Sequence, residues 1–226
     1  LEPTKRNTAP AILSSALIEE VPNDQPLIFL AADHLIEKNL LLVKSLKKNK
    51  SKLTNENIFI FGIKPTAPSS EYGYFVTKRI KNNINKVTKF IEKPSFQKAR
   101  TIIRKKGYWN SGMFLMRKDS IIHNYKKFQP NIYKNCLNSV VKSKRKKNIY
   151  ILNKNFYSKA NNKSFDYAIL EKSKYINAIK LDIPWSDLGS WMEICKMYNR
   201  NKNLYIKKNN IFYRPWGKYT NLFEGK

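Results

Sequence analysis

The residues with chemical potential gather where glycine does. The 226 residues hold seven glycines, and three of them sit inside short polar and aromatic clusters: Gly73 in Tyr72-Gly73-Tyr74, Gly112 in Trp109-Asn110-Ser111-Gly112, and Gly189 in Trp185-Ser186-Asp187-Leu188-Gly189-Ser190-Trp191. Glycine lets main chain approach a ligand closely or take a positive φ, so each cluster reads either as a contact point for a small molecule or as an ordinary turn. Three in the same style favour the contact reading. Nucleophilic and zinc chemistry find no support. His34 and His123 are the only histidines and have neither metal-ligand nor triad spacing, which leaves His34 at most a local hydrogen-bonding role. Cys136 and Cys195 lie 59 positions apart with no neighbouring Cys or His, so they read as plain buried thiols of a reducing compartment.

Those clusters need a scaffold, and the chain supplies helical and extended segments in alternation. Thr8 is placed to cap a helix with Pro10 in its first turn, and Ala9, Ile12, Leu13, Ala16 and Leu17 form one apolar face as far as about Glu20. Residues 27–31 and 58–63 are continuous apolar runs, the pattern of strands buried on both faces. Extended segments follow near 74–78, 87–91, 113–116 and 176–183. Helices are expected over 36–48, from Ser95 to a stop at Gly107, over 119–147 with a break at Pro130, over 164–172 and over 190–198. This order predicts an α/β fold whose sheet is mostly parallel and covered on both sides, with ligands bound beyond the carboxyl ends of the strands. The longest apolar run, 27–32, is far short of a membrane span.

Composition sets the class and warns against one misreading. With 42% apolar and 13% aromatic residues, a chain of this length can bury roughly 70% of its unfolded surface without disulfide or metal staples. The net charge of +28 suggests a nucleic-acid binder. However, 36 Lys, 26 Asn and 24 Ile point to a compositional bias, and the lysines are scattered over helix faces and loops. No aromatic-interleaved platform accompanies the 142–147 cluster, so a solvated cationic surface is the stronger reading.

The motifs, taken in order, resemble a known family. Glu2-Pro3-Thr4-Lys5-Arg6-Asn7-Thr8-Ala9-Pro10-Ala11, Ala32-Asp33-His34, Gly62-Ile63-Lys64-Pro65-Thr66-Ala67-Pro68, Glu71-Tyr72-Gly73-Tyr74, Phe90-Ile91-Glu92-Lys93-Pro94, Trp109-Asn110-Ser111-Gly112-Met113-Phe114, Ser164-Phe165-Asp166-Tyr167-Ala168 and the Trp185–Trp191 cluster are similar to those of bacterial mannose-1-phosphate guanylyltransferases, the GDP-mannose pyrophosphorylases. The likeness runs from residue 2 to about 197. It resumes at Tyr213-Arg214-Pro215-Trp216-Gly217-Lys218-Tyr219, which resembles the start of the cupin-type isomerase half of two-activity members.

The resemblance implies a nucleotide-diphospho-sugar transferase fold, a Rossmann-like α/β/α sandwich on a mixed, mainly parallel sheet. Its nucleotidyltransferase domain would span 1–198, with 199–226 leading toward a cupin. It also implies a cytoplasmic enzyme that makes GDP-mannose and pyrophosphate from GTP and mannose 1-phosphate for polysaccharide biosynthesis. Mg²⁺ would be the cofactor, and neither nucleic acid nor membrane would be a partner; a homo-oligomer is an open expectation.

In-line attack of the sugar phosphate on the α-phosphorus needs positioning and charge neutralisation, with no side-chain nucleophile. The resemblance gives the metal to Asp33 and Asp187, and counts Lys93 with them as catalytic. Glu2 suits the two donors on the guanine edge, Arg6 suits a phosphate, and Asn7 and Thr8 lie at a helix start that favours an anion. Sugar phosphate falls to Gly73, Tyr74, Glu92, Lys93, Asn110 and Gly112.

The residues alone leave alternatives. Asp33 and Asp187 read first as helix caps, Asn7 and Thr8 as caps only, Arg6 as solvent-facing, and Tyr74 as core. Adjacent strand residues point to opposite faces, so Glu92 and Lys93 can share a site only where the strand ends or bulges.

The family's opening strand and its Gly-rich nucleotide loop precede the point where this sequence starts with Leu1. The chain is therefore read as a segment of a longer protein and is not expected to turn over substrate alone. Three rivals stand beside this reading: another sugar-1-phosphate nucleotidyltransferase, a basic nucleic-acid-binding protein, and a non-catalytic sugar-nucleotide-binding subunit.

Overall fold

The computed structural model describes residues 1–18, 20–80 and 84–189, with the backbone of Ile206–Lys208 and Ile211–Tyr213. The first half contains α1 (Thr8–Ala16), β1 (Pro26–Phe29), β2 (Leu35–Ile36), α2 (Asn39–Asn49), β3 (Ile58–Ile63), β4 (Tyr74–Ile80), β5 (Ile84–Ile91) and α3 (Phe96–Arg104). There follow β6 (Tyr108–Arg117), α4 (Lys118–Phe128), α5 (Pro130–Val141), β7 (Lys144–Lys146), β8 (Ile149–Ile151), α6 (Lys154–Tyr157), β9 (Ile176–Leu181), β10 (Trp185–Ser186), β11 (Ile206–Lys208) and β12 (Ile211–Tyr213). The chain divides into two units, Leu1–Ala31 with Lys38–Ile183, and Ala32–Glu37 with Pro184–Lys226.

The larger unit is built on a six-stranded sheet of order β1-β6-β3-β9-β5-β4, in which β4 also pairs with the start of β6. Its centre is β3, an Ile-Phe-Ile-Phe-Gly-Ile run buried at every position and paired in parallel with β9 from Ile58↔Ile176 to Ile63↔Leu181. The α/β class and the mixed sheet follow the sequence expectation; the parallel share does not. Among the described strands β3–β9 is the parallel pair, and β1–β6, β3–β6, β4–β5, β4–β6 and β5–β9 are antiparallel. The physical reason is that β4 and β5 pair as an antiparallel ribbon, and β6 returns against three neighbours at once. As the outermost described strand, β1 is half-buried along its length instead of buried on both faces.

One face of the sheet carries α1, α4 and α5. Ala9, Ile12, Leu13 and Ala16 of α1 meet Ile121 and Tyr125 of α4, Ile132 and Cys136 of α5, and Ile58, Ile60, Phe114 and Met116 of the sheet. Each fully buried Leu or Ile here contributes roughly 1.5–3 kcal/mol. The cap of α1 is Asn7 (φ 64°), whose side chain accepts from the Thr8 N–H, and the helix closes at Ala16, short of the expected end near Glu20, when the Leu17 N–H reaches the Leu13 carbonyl. α3 closes through Lys106 in the left-handed region (φ 54°), with Gly107 N–H on the Ile102 carbonyl at 3.0 Å.

The helical stretch beyond Pro130 ends at Val141, not Lys147, because the cationic run has no apolar face to bury. It becomes the β7–β8 hairpin, turned at Lys147 (φ 52°). Likewise Asp166–Leu170 is a single π turn within the expected 164–172 helix. The helix expected at 190–198, with Ser190, Trp191 and Cys195, lies outside the described residues.

In the smaller unit β2 pairs antiparallel with β10, Trp185↔Ile36 and Ser186↔Leu35. β11 pairs with β12 inside the stretch expected to be a linker.

Candidate functional site

β5 ends at Ile91, and the next residues leave the ladder. Lys93 takes φ 44°, so Glu92 and Lys93 are released from strand alternation and both line one cavity of about 620 Å³ with Asn7, Asn162, Lys163, Ser164 and Tyr167. Gly73 backs this wall: a methyl group there would collide with the Glu92 carboxylate, and its carbonyl accepts from the Asn110 N–H at 2.8 Å.

Asn110, buried beside Gly73 behind this wall, is placed by a bulge. The β3–β6 register moves from Ile60↔Phe114 to Gly62↔Asn110, leaving extra residues on β6. Ser111 Oγ fills the gap by donating to the Phe61 carbonyl at 2.9 Å, and Gly112 turns at φ 70°. The Asn110 Nδ2 group then donates to Asp166 Oδ1 at 2.8 Å, while its Oδ1 accepts from the Gly112 N–H at 3.3 Å.

Tyr74, expected to line the pocket, is fully buried and its hydroxyl is engaged, accepting from Trp109 Nε1 at 2.7 Å and from the Ser69 N–H at 2.9 Å. It braces the wall from behind.

The acids in this neighbourhood are crowded. Burial, then Asp166 and Glu171, push Glu92 up to about 7 against the opposing pull of Lys93. Burial likewise raises Asp166 to about 6, with Asn110 and Lys93 opposing and Glu171 adding. Glu92 thus holds its proton up to about neutrality beside Lys93, while Asp166 ionises above about 6 and accepts from the Asn110 amide.

The first motif divides. Asn7 faces the cavity, but the Thr8 N–H is taken by Asn7 Oδ1 and the Ala9 N–H by the Lys163 carbonyl at 3.1 Å, so these two amides of the helix start do not face an anion. Thr8 Oγ1 accepts from the Phe165 N–H at 2.8 Å, tying α1 to the segment that lines the cavity. Arg6 Nη2 donates to the Ser158 carbonyl. Glu2 lies by Tyr157, whose hydroxyl is raised by burial first and by that carboxylate next. Burial lifts the Cys136 thiol to about 11, which makes it inert.

The smaller unit holds the two aspartates. The β2–β10 register, continued by one step, sets Asp187 opposite His34, next to Asp33. Burial lowers the His34 pKa, and both aspartates pull it back up, Asp33 lying 4.0 Å from Nε2. The His34 ring packs edge-on against Trp185 at 5.3 Å, and its Nδ1 has no partner, so packing holds it in place of the expected hydrogen bond. Asp187 Oδ1 accepts from the Gly189 N–H at 3.2 Å after Leu188 turns at φ 50°.

Among the described residues no group of three or more His, Cys, Asp or Glu side chains gathers as a metal centre. A pair of carboxylates fits Mg²⁺, which commonly takes one or two and completes its shell with water and phosphate; the Asp33 side chain, 82% exposed, keeps its oxygens free for that.

The sequence drew attention to most of these positions and missed others. Asp166 stood in a motif with no more than a structural hydrogen bond expected of it, and Asn162, Lys163, Ser164 and Tyr167 were not singled out. The Ser-Phe-Asp-Tyr-Ala run was their one signal.

Known proteins resemble the chain over most of its length. It is 33% identical over 217 residues to a mannose-1-phosphate guanylyltransferase of Salmonella muenchen, covering 94% of this chain and 46% of that protein. It is 34% identical over 196 residues to the xanthan biosynthesis protein XanB of Xanthomonas campestris, covering 86% and 42%. The chain thus spans under half the length of these relatives.

Among solved structures, a mannose-1-phosphate geranyltransferase of Thermus thermophilus shares the fold with a TM-score of 0.76 at 24% identity, over 89% of this chain and 58% of that one. A mannose-6-phosphate isomerase of Helicobacter pylori matches with a TM-score of 0.73 at 29% identity, over 82% and 72%. Residues 1–203 match the sequence family described as nucleotidyl transferase, and the chain belongs to that family.

Proposed function

We propose that the chain serves guanylyl transfer to mannose 1-phosphate, giving GDP-mannose and pyrophosphate for polysaccharide synthesis in the cytoplasm. The observation that carries this is the convergence of Glu92, Lys93 and Asn7 on one cavity, backed by the Asn110–Asp166 pair, in a nucleotidyl transferase whose relatives bear mannose-1-phosphate guanylyltransferase names.

Lys93 supplies a point charge to the sugar phosphate, and Glu92 accepts from neighbouring hydroxyls. Asn110 offers its remaining N–H and a lone pair, while Gly73 and Gly112 let main chain stand close. A phosphate oxygen of the sugar attacks the α-phosphorus, the bond to the β-phosphate oxygen breaks, and pyrophosphate leaves with that electron pair.

Nucleotidyl transferases generally work with divalent metal ions. Asp33 and Asp187 would hold Mg²⁺, which would neutralise charge on the transferring phosphates. Glu2 is the candidate for guanine and Arg6 for a nucleotide phosphate, each after release from Tyr157 and Ser158. Asn7 and Thr8 order the adjoining wall.

Nucleotide competition tests the reading. GDP-mannose binding, measured by calorimetry, is expected to be displaced by GTP far better than by UTP or dTTP. Preferential displacement by a pyrimidine nucleotide would move the chain to another sugar-1-phosphate nucleotidyltransferase. Tight, steeply salt-dependent binding of DNA with no sugar nucleotide bound would replace the enzyme by a nucleic-acid binder.

A further inference from the structure

We propose that Asp166 is a positioning residue of the sugar cavity, which fixes the orientation of the Asn110 amide and governs when Glu92 becomes a charged acceptor. This deepens the sugar-phosphate reading above and rests on it.

The geometry begins with an ambiguity that side-chain amides always carry. Oxygen and nitrogen of an asparagine are near-identical in shape, so only its partners decide which faces a ligand. Asp166 Oδ1 stands 2.8 Å from Asn110 Nδ2, and an ionised carboxylate accepts only. The Gly112 N–H, a donor only, stands 3.3 Å from Asn110 Oδ1. Both contacts demand the same orientation, leaving one N–H and one lone pair of Asn110 for hydroxyls.

Asp166 is itself held by the fold. It opens the π turn, whose Ala168 N–H returns to the Ser164 carbonyl at 2.9 Å and whose Ala168, Ile169 and Leu170 are buried. The partnership spans 56 residues, so it exists only in the folded chain.

The second half of the role is electrostatic. The groups that face Asp166 are Asn110 on β6, Glu92 and Lys93 after β5, Glu171 after the π turn, and Tyr125 on α4. Glu92 feels burial first, then Asp166 and Glu171, with Lys93 opposing. Protonation turns one oxygen of a carboxyl into a donor, whereas the ionised carboxylate accepts on both. With Glu92 raised to about 7, that state fills as pH climbs through neutrality, and removing the Asp166 charge lets it fill at lower pH.

Binding of mannose 1-phosphate to the chain, measured by calorimetry between pH 5.5 and 8.5, separates the outcomes. In Asp166→Asn an amide oxygen still accepts from Asn110. Affinity at pH 8 should stay within about threefold of the original, and the midpoint of the pH profile should move to lower pH. In Asp166→Ala the Asn110 amide loses its partner, and affinity should fall about tenfold at pH 8. The free ligand's phosphate titrates near pH 6 in every measurement alike, so comparing variants removes that part of the profile.

A profile for Asp166→Asn that superimposes on the original overturns the proposal while the sugar-phosphate reading stands. If the unsubstituted chain binds no mannose 1-phosphate at any pH, the reading itself falls and takes this role with it. Should Asp166→Ala fail to fold, the Asp166→Asn midpoint alone decides.

Discussion

The Glu92 cavity and the Asp33–Asp187 pair are built on opposite plans. Behind Glu92 the backing of the cavity is fixed before a ligand arrives: a glycine packed against the Glu92 carboxylate, a bulge stapled by Ser111, an amide held from both ends, and a buried tyrosine. Around Asp187 the scaffold is a two-residue ladder with one exposed carboxylate and a packed histidine. The lesson concerns preorganisation. A neutral sugar offers weak, directional hydrogen bonds and must find its partners in place, whereas a divalent ion brings enough charge to draw its own ligands inward. The electrostatics differ in sign, since burial, with neighbouring carboxylates, raises Glu92 and Asp166 while burial lowers His34 of the smaller unit.

The largest expected effect is on the open pair. Asp187→Asn in the natural protein should cut divalent-dependent pyrophosphate release by at least about a hundredfold, because it removes a charge used only when phosphates and metal are bound. Asp33→Asn should do the same while shifting unfolding free energy by no more than about 0.5 kcal/mol, as befits a side chain 82% exposed. Near-normal turnover in either variant would remove that residue from the metal and leave it a turn-forming acid.

An intermediate effect sharpens the contrast between the two glycine clusters. Gly73→Ala sets a methyl group too close to Glu92 Oε2, so that side chain must move while Asn110 and Phe90 atoms at 3.4 Å stand close by, and should cost about 1 kcal/mol in urea unfolding, together with mannose 1-phosphate affinity in calorimetry. Gly189→Ala meets Asp187 Oδ2 at 3.0 Å, the end of a side chain able to swing, and should cost less than about 1 kcal/mol. Equal costs would mean that the open pair is as tightly built as the cavity.

What could be read from residues alone follows the range of the interaction. α1 was legible from its apolar spacing, β3 from its continuous apolar run and β9 as an extended segment, because each signal is local. Strand direction was not, since the alternation of elements says nothing of how β6 returns against β1, β3 and β4. The lysine run beyond Val141 misled because lysine favours helix while Ile149-Tyr150-Ile151 favours strand, and the hairpin won.

At the site, Glu92, Lys93 and Asn110 were legible as chemistry. The objection that neighbours on a strand diverge was dissolved by a positive φ at a lysine, where no glycine advertises it. Asp166 could be read as making a structural hydrogen bond, but not with which partner, because the bond joins residues that only the folded sheet brings together.

The smallest effect is a slope with pH, and it reads the cavity through its raised acids, Glu92 and Asp166. Glu92 has an ordinary value of 4.5 and sits near 7 when folded, so the folded chain holds this proton more tightly than the unfolded one. Its contribution is therefore fully present below about 4.5 and is lost as pH rises through about 7. Asp166, ordinarily 3.8 and raised to about 6, acts in the same direction over a lower window. Other carboxylates and the net charge of +28 impose their own trends, so the useful quantity is the difference between variants. In Glu92→Gln, urea midpoints at pH 5, 6, 7 and 8 should decline less steeply with rising pH than in the original, with the divergence concentrated below pH 7. Parallel curves would show that Glu92 ionises normally in the folded chain, and the crowded-acid account of the cavity would fail with it.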